Sequence, residues 1–266
     1  MEPIRITSVS NPIIKEVRSL YDKKGRQSTQ ALLLEGLRLV NEVAESGLTI
    51  RYFVVSDSFF ERTESIFVRF PNIKIIQLPD ELFARIGQTQ TPQGLMAVMD
   101  LPDFNEREIV PKLRRIIVLE NLQDPGNLGT IIRTADACSF DAVLLSRDSV
   151  DPYNPKVIRS TMGSLFHLPV IIVDDIYETL KTLQTKSIRI VAAHPRNAVP
   201  CWQADLSDSV ALVIGNEGSG ITKKMLNLAD LAVMIPMVGR AESLNASAAA
   251  SILLYESMRQ LYGAKV

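Results

Sequence analysis

Six short, almost entirely apolar runs recur through the second half of the chain, and helix-length segments separate most of them. The runs are Ile116–Leu119, Ala142–Leu145, Val170–Val173, Ile188–Ala193, Val210–Ile214 and Leu231–Ile235. Strands that are apolar on both faces and alternate with helices are typical of a parallel sheet that helices cover on both sides. The pattern therefore predicts an α/β domain from about Leu113 onward, closed by an alanine-rich helix over Ser243–Tyr262.

A smaller α/β unit is predicted before this domain. Apolar runs at Ala31–Leu34, Tyr52–Val55, Ile73–Leu78 and Leu95–Met99 alternate with helix-like segments, which indicates three or four strands. The following stretch is rich in acidic residues and proline, a composition typical of a linker. We therefore predict a first domain over residues 1–100, a linker over 101–112 and a larger domain over 113–266.

Composition excludes several classes of protein. With 46% hydrophobic residues among 266, the chain can bury a substantial core, and its net charge of −1 excludes a uniformly basic nucleic-acid binder. Two cysteines are too few for a disulfide framework, and the two histidines lack metal-ligand spacing, so we expect no metal site. No apolar run approaches the length of a membrane span, and the first residues lack the apolar stretch of a signal peptide. We therefore expect a cytoplasmic protein without a membrane partner.

Three polar, glycine-containing segments follow predicted strands, where open α/β sheets place their binding sites. They are Glu120–Ala135, Ile214–Gly220 and Ile235–Ser247. Each also has a purely structural interpretation. The first can be a strand-to-helix turn capped by Asp124 or Asn127, and Ser243 or Asn245 can cap the final helix. The glycines of the second are spaced G-x-x-G-x-G, which is not the dinucleotide-binding pattern.

Taken together, the three segments resemble the signature motifs of the SpoU (TrmH-like) RNA 2′-O-ribose methyltransferases in the SPOUT superfamily. The residues that carry the resemblance are Asn121, Asp124, Pro125, Asn127, Gly129 and Arg133 in the first motif, Ile214–Gly218 in the second, and Ile235, Pro236, Gly239, Ser243, Leu244, Asn245 and Ser247 in the third. Less specifically, Leu34–Arg38 and Thr91–Gly94 resemble parts of the substrate-binding domain that precedes the catalytic domain in this family.

The resemblance implies a fold, a donor and an acceptor. The fold is a parallel-sheet domain with a trefoil knot, preceded by a smaller α/β domain of the ribosomal-protein L30e-like type. The methyl donor is S-adenosylmethionine and the acceptor is a ribose 2′-hydroxyl of RNA. Family enzymes work as homodimers through the C-terminal domain, with the final helix at the interface and the arginine matching Arg133 reaching a site that the partner completes.

The resemblance also implies roles for single residues. The expected catalytic residues are Asn127, Arg133, Glu217, Ser243 and Asn245, and the expected cofactor contacts are Gly215, Ile235 and Leu244. The family scheme gives proton removal to the arginine, but a guanidinium does not give up its own proton in proteins and so has no lone pair to accept another. We therefore expect Arg133 to bind the target phosphate and stabilise the developing alkoxide. Glu217 as the base is the alternative.

A local basic cluster fits an RNA partner. The cluster contains five cations and only two acids, Glu16 and Asp22, in a chain that is otherwise neutral. The five cations are Lys15, Arg18, Lys23, Lys24 and Arg26. Phosphate binding needs such clusters, although a solvated helix face has the same composition.

We predict a methyltransferase acting on structured RNA, with ribosomal RNA preferred and transfer RNA as the alternative substrate. Two further hypotheses are a non-catalytic RNA-binding ribosome-assembly factor and a small-molecule methyltransferase.

Overall fold

The structure is a computed structural model that describes residues 2–62, 67, 69–89 and 91–263. It divides into two compact units. The first comprises Met1–Asp103 together with Tyr153–Ile158, and the second comprises Phe104–Pro152 and Arg159–Val266.

The described part of the first unit contains a mixed five-stranded sheet in the order β1-β4-β3-β5-β2. The strands are β1 (Ile4–Arg5), β2 (Ala31–Glu35), β3 (Ile50–Ser56), β4 (Lys74–Leu78) and β5 (Leu95–Asp100). β1 and β3 pair with β4 in parallel, whereas β5 runs antiparallel to β3 and β2. The sequence pattern missed β1, because a strand of only two residues is too short to show an apolar alternation.

The helices along the described chain cover the segments between most strands. Their bounds are Pro12–Ser19, Lys23–Thr29, Leu37–Ser46, Asp57–Phe60, Asp80–Ile86, Glu106–Ile109, Pro125–Ala137, Pro155–Thr161, Ile176–Thr185, Lys223–Leu228 and Ala246–Gly263. Short 3-10 turns occupy Val110–Lys112, Ser164–Phe166 and Cys201–Gln203. None of these helices is long and apolar enough to cross a membrane.

The basic cluster lies on two short helices, Pro12–Ser19 and Lys23–Thr29. Asn11 caps the first, accepting the N–H of Ile13 at 2.9 Å, and proline occupies the first helical position. Four of the predicted RNA-binding cations are exposed, namely Lys15, Arg18, Lys23 and Lys24.

The prediction that Arg26 also binds RNA is wrong. Its side chain is 4% exposed, and Nη1 donates to the carbonyl oxygens of Leu20 and Tyr21, both at 2.8 Å. A buried guanidinium that is engaged in such hydrogen bonds is not available to phosphate. Arg26 therefore ties the turn between the two helices to the second of them.

Replacing Arg26 with alanine is expected to destabilise the protein rather than only its RNA complex. The carbonyl groups of Leu20 and Tyr21 lose their donor, which costs about 1–3 kcal/mol of unfolding free energy for unsatisfied buried groups. Urea unfolding of the full chain measures this cost. Lys24→Ala, at an exposed position of the same helix, is the matched control and should change the unfolding free energy by less than about 0.5 kcal/mol. Equal stability of the two variants would contradict a structural role for Arg26.

The second unit is built on a seven-stranded sheet, in the described residues, whose neighbouring strands are all parallel. The order is β10-β12-β9-β11-β6-β7-β8. The strands are β6 (Arg115–Leu119), β7 (Ala142–Leu145), β8 (Val170–Ile172), β9 (Arg189–Ala193), β10 (Val199–Pro200), β11 (Val210–Ile214) and β12 (Leu231–Met234). This confirms the predicted α/β class with a parallel sheet. The strand order alone does not determine how the connections thread, so the trefoil knot and the L30e-like type of the first domain stay predictions.

Part of the predicted linker is folded. Glu106–Ile109 is helical and Val110–Lys112 forms a 3-10 turn, and Val110 is 4% exposed in the core of the second unit. Burial of Val110 and Leu113 against the β6 side of that core fixes this part of the 101–112 segment to the second unit. The segment therefore does not behave as an extended linker over its whole length.

The last helix starts at Ala246, three residues later than predicted, because Asn245 caps it. Asn245 Oδ1 accepts the N–H groups of Ser247 at 2.8 Å and Ala248 at 3.3 Å. Farther along, the buried Ser257 accepts a hydrogen bond from Arg115 Nη2 at 3.1 Å and donates to Leu206 O at 2.6 Å. The cap and this buried contact fix the direction and depth of the helix against the sheet.

Candidate active site

The three polar segments meet where the direction of chain progression through the sheet reverses. From β6 the chain continues to β7 and β8 on one side, whereas β9, β10, β11 and β12 lie on the other. β11 is therefore the neighbour of β6, with Ile214 paired to Leu119 at their carboxyl ends. The N–H of Glu120 donates to Ile214 O at 2.9 Å, which extends this pairing. Such a switch point is where open α/β sheets form a crevice for ligands.

The segment after β11 folds back tightly on itself. Asn216 and Gly220 exchange two backbone hydrogen bonds, of 3.1 and 2.9 Å, and Asn216 Nδ2 donates to Asn121 O at 2.8 Å. A Cβ at Gly215 would lie 2.3 Å from the carbonyl carbon and 2.4 Å from the carbonyl oxygen of Gly220. Only glycine allows this close approach of two backbone segments.

A buried carboxylate anchors the far end of the same loop. Glu120 is 1% exposed; its Oε1 accepts hydrogen bonds from Thr222 Oγ1 at 2.7 Å and Tyr177 OH at 2.8 Å, and its Oε2 accepts the N–H of Thr222 at 2.9 Å. Glu120 thus holds both ends of the 215–221 loop, through its own N–H and through its side chain. Sequence reasoning did not single out this residue, although an acid directly after a fully apolar strand was the available signal.

Residues from all three motifs form one hydrogen-bonded chain. Asn245 Nδ2 donates to Asn127 Oδ1 at 3.0 Å, and Asn127 Nδ2 donates to Glu217 Oε1 at 3.1 Å. Asn127 is itself placed by the cap of its helix, because Asp124 Oδ1 accepts its N–H at 2.8 Å. The Asn245–Asn127–Glu217 chain therefore fixes the three loops to one another.

The Glu217 carboxylate accepts hydrogen bonds from three residues of the Glu120–Ala135 segment. Besides Asn127, it accepts the N–H groups of Asp124 at 2.9 Å and of Gln123 at 3.1 Å. Burial raises the pKa of the Glu217 carboxyl, but these hydrogen bonds to the charged form outweigh burial and hold the pKa below its usual value. A carboxylate in this state is a weak proton acceptor, and its geometry suits a residue that orders the loops.

A cavity of about 310 Å³ lies beside this chain at the carboxyl ends of β9, β11 and β12. All three predicted cofactor residues line it, namely Gly215, Ile235 and Leu244, together with Ser243 and Glu217. The walls combine the backbone of the 215–220 loop with apolar side chains, among them Val233 and Leu253. Sequence reasoning missed His194, which follows β9 and also lines the cavity.

Arg133 is the one predicted catalytic residue that stands apart. Its side chain is exposed on the Pro125–Ala137 helix and does not line the cavity. Within the part of the chain that the structure describes, it has no hydrogen-bond or ion-pair partner. The described residues also contain no group of three or more His, Cys, Asp or Glu side chains that could hold a metal ion. The structure therefore joins Asn127, Glu217 and Asn245, places Ser243 on the cavity wall, and leaves Arg133 free for a partner.

Comparison with known proteins identifies the family of both parts of the chain. The model of the SpoU rRNA Methylase family matches residues 114–255, which is more than half of the chain. The model of the MRM3-like substrate binding domain matches residues 11–97.

Individual relatives agree with these matches along nearly the whole chain. The 23S rRNA (guanosine(2553)-2′-O)-methyltransferase RlmP of Bacillus subtilis is 34% identical and covers 94% of this chain and 98% of its own. The crystal structure of an AdoMet-bound rRNA methyltransferase from Sinorhizobium meliloti is 30% identical, with a TM-score of 0.86, over 97% of this chain and 98% of that chain. The AdoMet complex of the SpoU methyltransferase AviRb from Streptomyces viridochromogenes is 27% identical, with a TM-score of 0.84, over 95% and 100%. With the three motifs gathered around one cavity, these matches establish that the chain belongs to the SpoU rRNA methylase family, the TrmH-like branch of the SPOUT superfamily.

Proposed function

We propose that this protein transfers a methyl group from S-adenosylmethionine to a ribose 2′-hydroxyl of ribosomal RNA. The observation that carries the proposal is the cavity at the switch point, which Gly215, Ile235 and Leu244 line beside the Asn245–Asn127–Glu217 chain. Relatives along nearly the whole chain, such as RlmP of Bacillus subtilis, are named for ribosomal RNA, while others are named only as tRNA/rRNA methyltransferases. We further propose that residues 1–100 hold the RNA, that residues 113–266 form the catalytic domain, and that the protein works in the cytoplasm.

The residues of the cavity fit the methyl donor. Apolar side chains such as Ile235 and Leu244 match the adenine faces, and backbone groups of the tightly folded 215–220 loop match its polar edges. When bound, S-adenosylmethionine supplies a methyl group that its sulfonium already makes electrophilic. The remaining task of the chain is to align the ribose oxygen and stabilise the charge that develops there, and alignment alone can contribute up to roughly 7–11 kcal/mol.

Arg133 is the residue we assign to that charge. A guanidinium is not a base, so Arg133 acts by binding the target phosphate and stabilising the developing alkoxide. A neighbouring RNA phosphate assists loss of the hydroxyl proton to solvent. The hydrogen bonds to Glu217 and its lowered pKa favour a positioning role over that of a base. Ser243, on the cavity wall, is assigned to the ribose.

We propose that the active protein is a homodimer in which a partner subunit meets Arg133. Large apolar side chains of the final helix are exposed: Ile252 by 41%, Tyr255 by 58% and Tyr262 by 47%. An apolar stripe on an otherwise well-packed helix is typical of an interface. The free Arg133 side chain then completes a site whose other groups the partner provides.

The exposed lysines of the first unit are proposed to dock the RNA. Reversing two charges in Lys23→Glu/Lys24→Glu is expected to raise the KM for RNA about tenfold or more, because each phosphate left without its cation weakens salt-dependent binding. The value of kcat should stay unchanged, since these residues lie outside the catalytic cavity. The double variant Lys74→Glu/Arg85→Glu makes the same charge change at exposed positions of the same unit and should leave KM near wild type. An unchanged KM in the first variant would assign its lysines to solubility.

Mapping the methylated position tests the proposed function. The purified protein is incubated with labelled S-adenosylmethionine and total RNA from a strain lacking the gene, and the labelled nucleotide is located. Label on a ribosomal RNA ribose supports the proposal, whereas label on transfer RNA replaces its substrate. Stoichiometric RNA binding without any methyl transfer would support a non-catalytic ribosome-assembly factor, and methylation of a free nucleoside would support a small-molecule enzyme.

A further inference from the structure

Two segments meet at the surface of the first unit, and the catalytic proposal gives neither of them a role. Leu34–Arg38 leads from β2 into the Leu37–Ser46 helix, and Thr91–Gly94 precedes β5. Gln93 Oε1 accepts the N–H of Leu37 at 2.9 Å, so a side chain of the second segment caps the helix that the first segment begins. A connection of this kind holds both segments in one place on the surface.

The place where they meet is a groove made of two adjoining cavities, of about 410 and 520 Å³. Phe59 and Gln93 line both cavities, and we call their union the Phe59 groove. Gly94 forms part of its floor with φ of 89°, and a Cβ there would lie 2.6 Å from Phe59 Cβ. The backbone therefore approaches the aromatic residue as closely as a glycine permits, which fixes the half-buried ring against the turn.

The groove combines the aromatic ring of Phe59 with two arginine side chains. Arg38 lines one cavity and Arg62 the other, and both side chains are exposed. Arg62 Nε donates to Ser58 O at 3.0 Å, and among the described residues its terminal nitrogens have no hydrogen-bond partner, so they can contact a ligand. Arg38 has no hydrogen-bond or ion-pair partner among residues 2–62, 67, 69–89 and 91–263.

Acidic side chains in the groove restrict the kind of ligand. Glu42 and Asp80 balance the two arginines, so the groove is not a uniformly positive track for a duplex backbone. Asp80 Oδ1 accepts both the N–H of Ser58 at 3.1 Å and its hydroxyl at 2.8 Å, which engages that carboxylate within the wall. An aromatic face with arginines and side-chain amides is the combination that recognises unstacked bases of single-stranded RNA.

We propose that the Phe59 groove binds an unstacked nucleotide from a single-stranded segment of the RNA substrate. The base stacks on Phe59, and Arg38 and Arg62 contact the flanking phosphates. The groove then gives the first unit a preference for loops or bulges over duplex, in addition to the exposed lysines of the two short helices. The inference rests on the proposed function only in that the RNA is the methyl acceptor.

Binding of short labelled oligoadenylate to the full chain tests the groove, by fluorescence anisotropy at several salt concentrations. Phe59→Leu keeps an apolar side chain but removes the ring, and should weaken binding about tenfold because the base can no longer stack. Arg38→Glu should also weaken it about tenfold and lower the salt slope by about one for each phosphate that the side chain no longer neutralises. Arg85→Glu, an exposed arginine of the same unit outside both cavities, should bind like wild type.

The outcomes separate this inference from the proposed function. If wild type binds oligoadenylate and both Phe59→Leu and Arg38→Glu weaken that binding, the groove is supported. This holds even if the protein transfers no methyl group to RNA. Normal methylation of ribosomal RNA together with unchanged oligoadenylate binding by both variants overturns the groove and leaves the proposed function standing. Equal affinity of wild type for oligoadenylate and for a duplex RNA of the same length also overturns it, because a stacking site requires an unpaired base. Thermal unfolding of each variant verifies that the first unit is folded.

Discussion

Replacing Arg133 with alanine is expected to slow methyl transfer on the order of 10²–10³-fold while leaving S-adenosylmethionine bound as tightly as in wild type. The side chain lies outside the cavity that we assign to the donor, so the substitution leaves the donor site intact. It removes the positive charge that we propose to lie next to the reacting oxygen, and removing one such electrostatic interaction costs on the order of 10²–10³ in kcat. Single-turnover methylation of ribosomal RNA measures the chemical step, and calorimetry with S-adenosylmethionine measures binding.

Two further variants make the Arg133 result specific. Thr130→Ala changes an exposed residue of the same helix, whose hydroxyl bonds only the helix backbone at Gly126 O, and should retain wild-type turnover. Arg133→Lys keeps the charge but loses the planar, two-pronged donor that matches a phosphate, so we expect only partial recovery of kcat. Turnover of Arg133→Ala close to that of wild type would rule out the assigned role. Loss of donor binding in the same variant would instead place Arg133 in the cofactor site.

The hydrophobic pattern predicted the strands of the parallel sheet well, because strands buried on both faces must be apolar throughout. Ala142–Leu145 and Val210–Ile214 match the observed strands residue for residue. Val199–Pro200 was missed because two residues carry no periodicity, and proline is tolerated there because β10 lies at the sheet edge. Strand pattern therefore located the carboxyl ends at which the site forms.

The contacts within the site were beyond the reach of local pattern. The Asn245–Asn127 and Asn127–Glu217 bonds join residues 118 and 90 positions apart, and no spacing within one segment encodes them. The resemblance to the family supplied those residues, but it did not indicate that Glu217 accepts hydrogen bonds from three residues of another segment. Charge pattern alone failed at Arg26, because a buried cation and a surface cation look the same in sequence when the acceptors are backbone carbonyl groups.

Replacing Gly215 with alanine is expected to weaken S-adenosylmethionine binding on the order of 100-fold, because overpacking costs about 1–3 kcal/mol and 100-fold corresponds to about 2.8 kcal/mol. The added methyl group would lie 2.3–2.4 Å from the backbone of Gly220 and Ile221. Backbone atoms cannot rotate away as a side chain does, so the whole 215–220 loop must shift. That loop contributes the polar wall of the cavity, and both of its ends are held through Glu120. The displaced loop therefore changes the shape of the cofactor site, because its two ends cannot move to compensate.

Gly239→Ala provides the matched control, because the same substitution in the third motif meets no atom within 4 Å. Calorimetric titration of both variants with S-adenosylmethionine should show a large loss of affinity for Gly215→Ala and almost none for Gly239→Ala. Thermal unfolding distinguishes a displaced loop from an unfolded protein, since the strands on either side of the loop keep their pairing in the first case. Wild-type affinity in a folded Gly215→Ala protein would mean that the donor does not contact this loop. The cavity would then have to serve another ligand, whatever the outcome at Arg133.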